Sequence, residues 1–106
     1  MPRLVNALGG AVLLVLAAIQ QGHAAEHEIR IKGMAFGSGI GELKVGDVIV
    51  WRNDDMFRHT ATARDGSFDV DLPPKSVRRT TLARPGAIEY HCRFHRGMVA
   101  RLDVRQ

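Results

Sequence analysis

In Ala87-Ile88-Glu89-Tyr90-His91-Cys92 the residues Ile88, Tyr90 and Cys92 fall on one face, and Glu89 and His91 on the other. A two-residue period is that of a β-strand with one face buried. Pro85-Gly86 turns the chain into this strand. Beyond the loop that follows, Ala100, Leu102 and Val104 alternate with Arg101, Asp103 and Arg105 to make a second such strand. The same pattern recurs upstream. Glu28-Ile29-Arg30-Ile31-Lys32 alternates charged and apolar residues, Leu43 and Val45 are spaced two apart, and Val48-Ile49-Val50-Trp51-Arg52 is the most β-prone run. His59 to Ala63 and Ser76 to Leu82 also read as extended.

Turn residues separate these runs: Gly33, the loop Gly37-Ser38-Gly39-Ile40-Gly41, Gly46-Asp47, Asn53-Asp54-Asp55, Asp65-Gly66 and Pro73-Pro74. After the first two dozen residues no segment shows a helical period. Short strands with frequent turns predict an all-β sandwich or barrel, and two packed sheets are the expected architecture.

The chain has 106 residues, enough for one domain. Its start has a different character. Arg3 precedes a continuous apolar run from Ala11 to Ile19, and Gln20-Gln21-Gly22-His23-Ala24-Ala25 follows. Charge, short apolar core and small residues in that order read as a secretory signal peptide over residues 1–24, cut after Ala24. The apolar run is shorter than the ~20 residues a spanning helix needs, although retention as an anchor is the competing reading. Residues 25–106 are then the exported, periplasmic domain.

Removing Arg3 takes the basic residues from 15 to 14 against 11 acids, and the formal charge from +4 to +3. No basic block is long enough for a nucleic-acid arm, and no set of base-stacking aromatics is present. The surplus suits solubility and steering toward an acidic partner. The chain has one cysteine. A lone thiol in an oxidising compartment must be shielded, paired with another chain or ligated.

Ligation explains it best. Cys92-Arg93-Phe94-His95-Arg96-Gly97-Met98 places a thiolate, an imidazole and a thioether at Cys-x-x-His-x-x-Met spacing just past a strand end. Singly, each is as readily a core or surface residue; together they form a soft and borderline donor set that suits copper. His59, opening a strand after a polar loop, supplies the second imidazole. Its rivals are His91, which alternates away from Cys92, and His27, close to the cleavage site where a chain end is mobile.

Tyr90-His91-Cys92, with His95 and Met98 following, resembles the ligand loop of the cupredoxins, the amicyanins in particular. Gly46-Asp47-Val48-Ile49-Val50-Trp51-Arg52-Asn53 and Met98-Val99-Ala100-Arg101-Leu102-Asp103-Val104 extend the resemblance over most of residues 28–104. It implies a Greek-key β-sandwich with one type 1 copper ion at one end. It also implies His59, Cys92, His95 and Met98 as the metal ligands and one-electron transfer as the activity. Phe94 and Arg58 stand where the family often has proline. Phe94 therefore brings a backbone N–H that is expected to hydrogen-bond the Cys92 sulfur. The interval from His59 to Cys92 is short for the family, which implies trimmed loops.

The expected function is a periplasmic one-electron carrier cycling Cu(II)/Cu(I), not an enzyme, since four protein ligands leave no open position. A periplasmic copper carrier or chaperone is the alternative. A structural zinc site is a poorer fit because methionine is a weak zinc ligand. Thr60 is a candidate to hydrogen-bond across to the cysteine loop. His95 is the expected electron port, with Met56, Phe57 and Phe94 as an apolar patch ringed by Arg58, Arg93 and Arg96. The partners expected are redox proteins with an acidic docking surface, met by a monomer with no stable membrane association after cleavage.

Overall fold

A computed structural model describes residues 24–106. The expected signal peptide lies outside the described residues except for Ala24. Nine strands follow in chain order: β1 (Glu26–Lys32), β2 (Ala35–Phe36), β3 (Leu43–Lys44), β4 (Val48–Asn53), β5 (His59–Ala63), β6 (Asp69–Leu72), β7 (Val77–Thr81), β8 (Gly86–His91) and β9 (Val99–Arg105). There is no helix among the described residues. One sheet has the order β2-β1-β4-β7 and the other β3-β9-β8-β5-β6. Both are mixed: β1 runs parallel to β4, and β3 parallel to β9, while the remaining pairs are antiparallel. The chain changes sheets between β2 and β3, β3 and β4, β4 and β5, β6 and β7, and β7 and β8, giving the expected Greek-key β-sandwich.

Alternation decides which side chains enter the core. Ile29 and Ile31 of β1 and Ile49 and Trp51 of β4 face Ala61 and Ala63 of β5, Ile88 and Tyr90 of β8 and Leu102 and Val104 of β9. Aromatic edges fill the centre, with Trp51 and Tyr90 centroids 5.3 Å apart, and Phe36 and Tyr90 4.7 Å apart. The Trp51 indole N–H, which burial would otherwise strand, donates to Thr80 Oγ1 at 3.0 Å. Burial pushes the Tyr90 phenol above its ordinary range.

Two strands were not legible in the sequence. β2 is only a pair of residues, and Asp69-Val70-Asp71-Leu72 carries two acids that mask its alternation. β6 is nonetheless fixed by the β5–β6 hairpin, whose Arg64–Ser67 turn includes Gly66 at a φ of 80°. A third difference concerns His27. It is not part of a mobile end: it lies in β1 opposite Ile49, and its Nε2 sits 3.0 Å from Asp47 Oδ2. That places it at the start of β4, whereas His59 follows the end of β4, at the opposite pole of the sandwich.

Candidate metal centre

The far ends of β4 and β8 and the start of β5 converge at one pole. There His59, Cys92 and His95 each present one donor atom, all within 4.8 Å of one another. The sequence gap between His59 and Cys92 closes because β5 and β8 are neighbours, with Thr62 opposite His91 and Ala63 opposite Tyr90. Cys92 continues the inward face of β8 and is buried. The chain then loops back so that Cys92 N–H donates to the Met98 carbonyl at 3.0 Å. Met98 N–H in turn donates to the His95 carbonyl at 3.2 Å. Gly97, at a φ of 90°, permits the turn. Met98 is buried at the end of this loop, 3% exposed.

Hydrogen-bond partners fix which ring nitrogens are free. His95 Nε2 lies 3.2 Å from the Arg58 carbonyl oxygen, which can only accept, so Nε2 carries the hydrogen and Nδ1 keeps its lone pair. His59 Nε2–H donates to Asp55 Oδ2 at 2.8 Å, and His59 Nδ1 faces Cys92 Sγ at 3.9 Å. The two imidazole rings meet edge to face at 4.9 Å. His59 thus turns its Nδ1 toward the sulfur, and His95, with Nε2 bonded to the Arg58 carbonyl, has Nδ1 left for a metal.

Asp55 is the residue that orients His59. It also accepts the N–H groups of Gly33 at 2.7 Å and Met34 at 3.0 Å, just past the end of β1. Burial acts to raise its carboxyl, but the Met34 N–H, the His59 ring and the Gly33 N–H outweigh burial and hold it below the usual carboxylate range. Asn53, fully buried, shapes the same loop. Its amide donates to the carbonyls of Phe57 at 2.8 Å and Leu72 at 2.9 Å, and its Oδ1 accepts Asp55 N–H at 2.9 Å. In the sequence both read only as turn residues. The four-residue spacing of Asp55 to His59 was the signal available for a carboxylate–histidine pair.

Thr60 bridges to the cysteine loop as expected, and in two ways. Its backbone N–H points at Cys92 Sγ at 3.4 Å, and its Oγ1 accepts Arg93 N–H at 2.9 Å. Because that amide can only donate, the Thr60 hydroxyl hydrogen passes to Thr62 Oγ1 at 2.9 Å, and the Thr62 hydroxyl donates to Asp69 at 2.8 Å. The expected Phe94 N–H bond to the cysteine sulfur is not formed; the Thr60 N–H fills that role. The Phe94 ring instead has two guanidinium groups over it, Arg58 at 5.3 Å and Arg93 at 5.7 Å.

Around the half-buried His95 ring, Met56 is 73% exposed, Phe57 59% and Phe94 50%, so the apolar patch exists as a surface. Phe57 lies edge-on to His95 at 6.4 Å. Of the arginines around it, Arg58 is paired with Asp71 at 2.8 Å and Arg93 with Asp69 at 3.4 Å. Arg96 makes no ion pair among the described residues.

The donor set fits copper: a shielded sulfur and two oriented imidazoles already close together, with a buried thioether at the end of the same loop. Sequence comparison adds nothing here, since no family model and no curated protein matches the chain. Solved structures do match. A Cu-containing nitrite reductase (NirK) from Thermus scotoductus SA-01 superposes with a TM-score of 0.67 at 24% identity, covering 76% of this chain. The chain spans 22% of that reductase. An oxidized methionine-to-leucine mutant of amicyanin gives 0.61 at 23% identity, covering 74% of this chain and 81% of that one. A reduced proline-to-phenylalanine mutant of amicyanin gives 0.60 at 24% identity, covering 78% and 83%. The fold is therefore that of the cupredoxins.

Proposed function

From a cupredoxin sandwich that gathers two imidazoles and a thiol at one pole, we propose that the protein is a one-electron carrier. His59, Cys92 and His95, with Met98 as the weak fourth donor, hold a single copper ion. Bound there, copper supplies a Cu(II)/Cu(I) couple with no substrate bond made or broken. The observation that carries this reading is the convergence of the three strong donors within 4.8 Å.

The surrounding residues serve such a couple. Asp55 and the Arg58 carbonyl hold the two rings, so little ligand motion accompanies a change of charge. The Thr60 N–H stabilises negative charge on the Cys92 sulfur. His59 is fully buried, which keeps water from one side, while the half-buried His95 reaches the surface through the Met56, Phe57 and Phe94 patch. That patch is the electron port, suited to a brief encounter that buries little area.

The protein works as an exported periplasmic monomer whose leader is removed, and it meets redox proteins bearing an acidic docking surface. Arg96, with the guanidinium groups of Arg58 and Arg93 beside it, provides the attraction. Raising the salt concentration slows electron exchange on this reading; a rate that stays level or rises removes the acidic partner.

An optical spectrum of the protein with one equivalent of Cu(II), repeated for Cys92→Ser, tests the carrier itself. An intense visible thiolate-to-copper band that disappears in the variant and on reduction supports it. Bound metal with no such band points instead to copper carriage or zinc.

A further inference from the structure

The pole opposite the metal centre is built around a buried carboxylate. Asp47, 7% exposed, precedes β4 in the Gly46-Asp47 turn. Its Oδ2 accepts Lys44 N–H at 3.0 Å and faces His27 Nε2 at 3.0 Å. Its Oδ1 accepts the backbone nitrogen of Ala25 at 3.2 Å. The Ala25 carbonyl in turn accepts Val48 N–H at 2.9 Å, so Ala25 is gripped on both sides. Within residues 24–106, Ala25 is the first whose backbone the fold holds.

The residue the sandwich grips first is also the one the sequence places first after cleavage. Those are independent observations, one from side-chain geometry and one from the small residues at Gly22 and Ala24. Hydrolysis of the Ala24–Ala25 bond adds the hydroxyl of water to the Ala24 carbonyl carbon and hydrogen to the Ala25 nitrogen. The new carboxyl loses its proton and the new amine gains one. An amide with one hydrogen thereby becomes an ammonium with three, against a carboxylate already shielded from water.

We infer that Asp47 is the receiving site for the mature N-terminus, so that removal of the leader creates a half-buried ion pair and completes the fold. The inference rests on reading residues 1–24 as a leader removed on export. Burial acts to raise the Asp47 carboxyl, yet the Lys44 N–H, the His27 ring and the Ala25 N–H together hold it low, so it is ionised to meet the ammonium. A charge-assisted hydrogen bond is roughly twice as strong as the neutral bond it replaces. The bond ties down β1, whose other end leads to Gly33 and Met34, the donors that brace Asp55 beneath His59. Processing at one pole thus tightens a strand that supports the other.

Two measurements test this. The first is the mass of the chain recovered after export of the full-length precursor. A chain beginning at Ala25 is expected; one beginning elsewhere overturns the leader reading and the inference with it. The second is a four-way urea unfolding comparison of copper-loaded and metal-free protein. A free Ala25 amine is compared with an acetylated one, installed by co-expressing an N-terminal acetyltransferase, each with Asp47 and with Asp47→Asn. The free amine is expected to raise the folding equilibrium constant about fivefold to tenfold with Asp47, and to have no effect with Asn. Equal stability of the free and acetylated Asp47 chains overturns the ion pair while leaving the leader reading intact. So does an equal difference in both backgrounds. If Asp47→Asn does not fold, the free and acetylated Asp47 chains are compared at about pH 6 and about pH 10, where the gain must be lost as the amine gives up its proton; a gain that stays unchanged overturns the inference.

Discussion

Asp55 Oδ2 receives the Nε2–H of His59 at 2.8 Å while the same carboxylate receives two backbone N–H groups from just past the end of β1. A donor ring on β5 is thereby steered by the opposite sheet. Replacing Asp55 with Ala leaves the ring free to turn and two N–H groups without an acceptor. Copper affinity is expected to fall about 10- to 100-fold. A chelator competition titration of Asp55→Ala against the parent protein measures it, and unchanged affinity would show that the ring needs no such guide.

Met98 serves both as packing and as a proposed ligand, and volume separates the two roles. Met98→Leu fills the same buried space, so metal-free stability is expected to change by less than about 1.5 kcal/mol. Met98→Ala opens a cavity and is expected to cost about 2–5 kcal/mol. If the thioether is a donor, both variants shift the visible spectrum and reduction potential of the copper-loaded protein. A Met98→Leu protein with the parental spectrum would remove Met98 from the ligand set.

The hydroxyl chain from Arg93 N–H through Thr60 and Thr62 to Asp69 has its polarity fixed at both ends, by an amide at one and a carboxylate at the other. Thr60→Val keeps the size and removes the acceptor of a buried-edge amide. Its expected cost is about 1–3 kcal/mol in urea unfolding. Thr60→Ser is expected to recover most of that. A loss in Thr60→Ser with none in Thr60→Val would mean that the methyl group, not the hydroxyl, matters.

Asp47 gives the protein a defined acid limit. Its carboxyl is held below the ordinary value in the folded chain, so its contribution is present in full above the unfolded pKa, about 3.9 for an aspartate. The contribution is lost as pH falls from there through the lower, folded value. Unfolding free energy followed from pH 6 downward is expected to drop more steeply in the parent than in Asp47→Asn. Parallel curves would show that the carboxylate's partners give it no net preference for the charged form.

Much of this was legible in the chain because strands buried on one face write their period into the sequence. Ile29 and Ile31, Ile49 and Trp51, Ile88 and Tyr90, and Leu102 and Val104 all face the core as their spacing requires. The candidate donors were legible for a different reason: three of the four sit on one short loop. What stayed hidden depends on pairing between strands distant in sequence. Asp69 and Asp71 look like solvent residues until β6 lies beside β5 and brings them to Arg93 and Arg58. Asn53 and Asp55 look like turn residues until the other elements supply their partners. The Phe94 expectation failed for a related reason. A free N–H at the right offset does not say where the loop will point it, and Thr60 from a neighbouring strand had the better approach to the sulfur.

The seven-residue segment from Cys92 to Met98 is closed by its own backbone, one end bonded to the other at 3.0 Å. A segment whose two ends already touch is a replaceable cartridge. Its exposed residues Phe94 and Arg96 can be exchanged without touching the bond that joins its ends. For engineering, loop and scaffold are separable here: the residues exposed in the loop can be varied while β8 and β9 remain the socket.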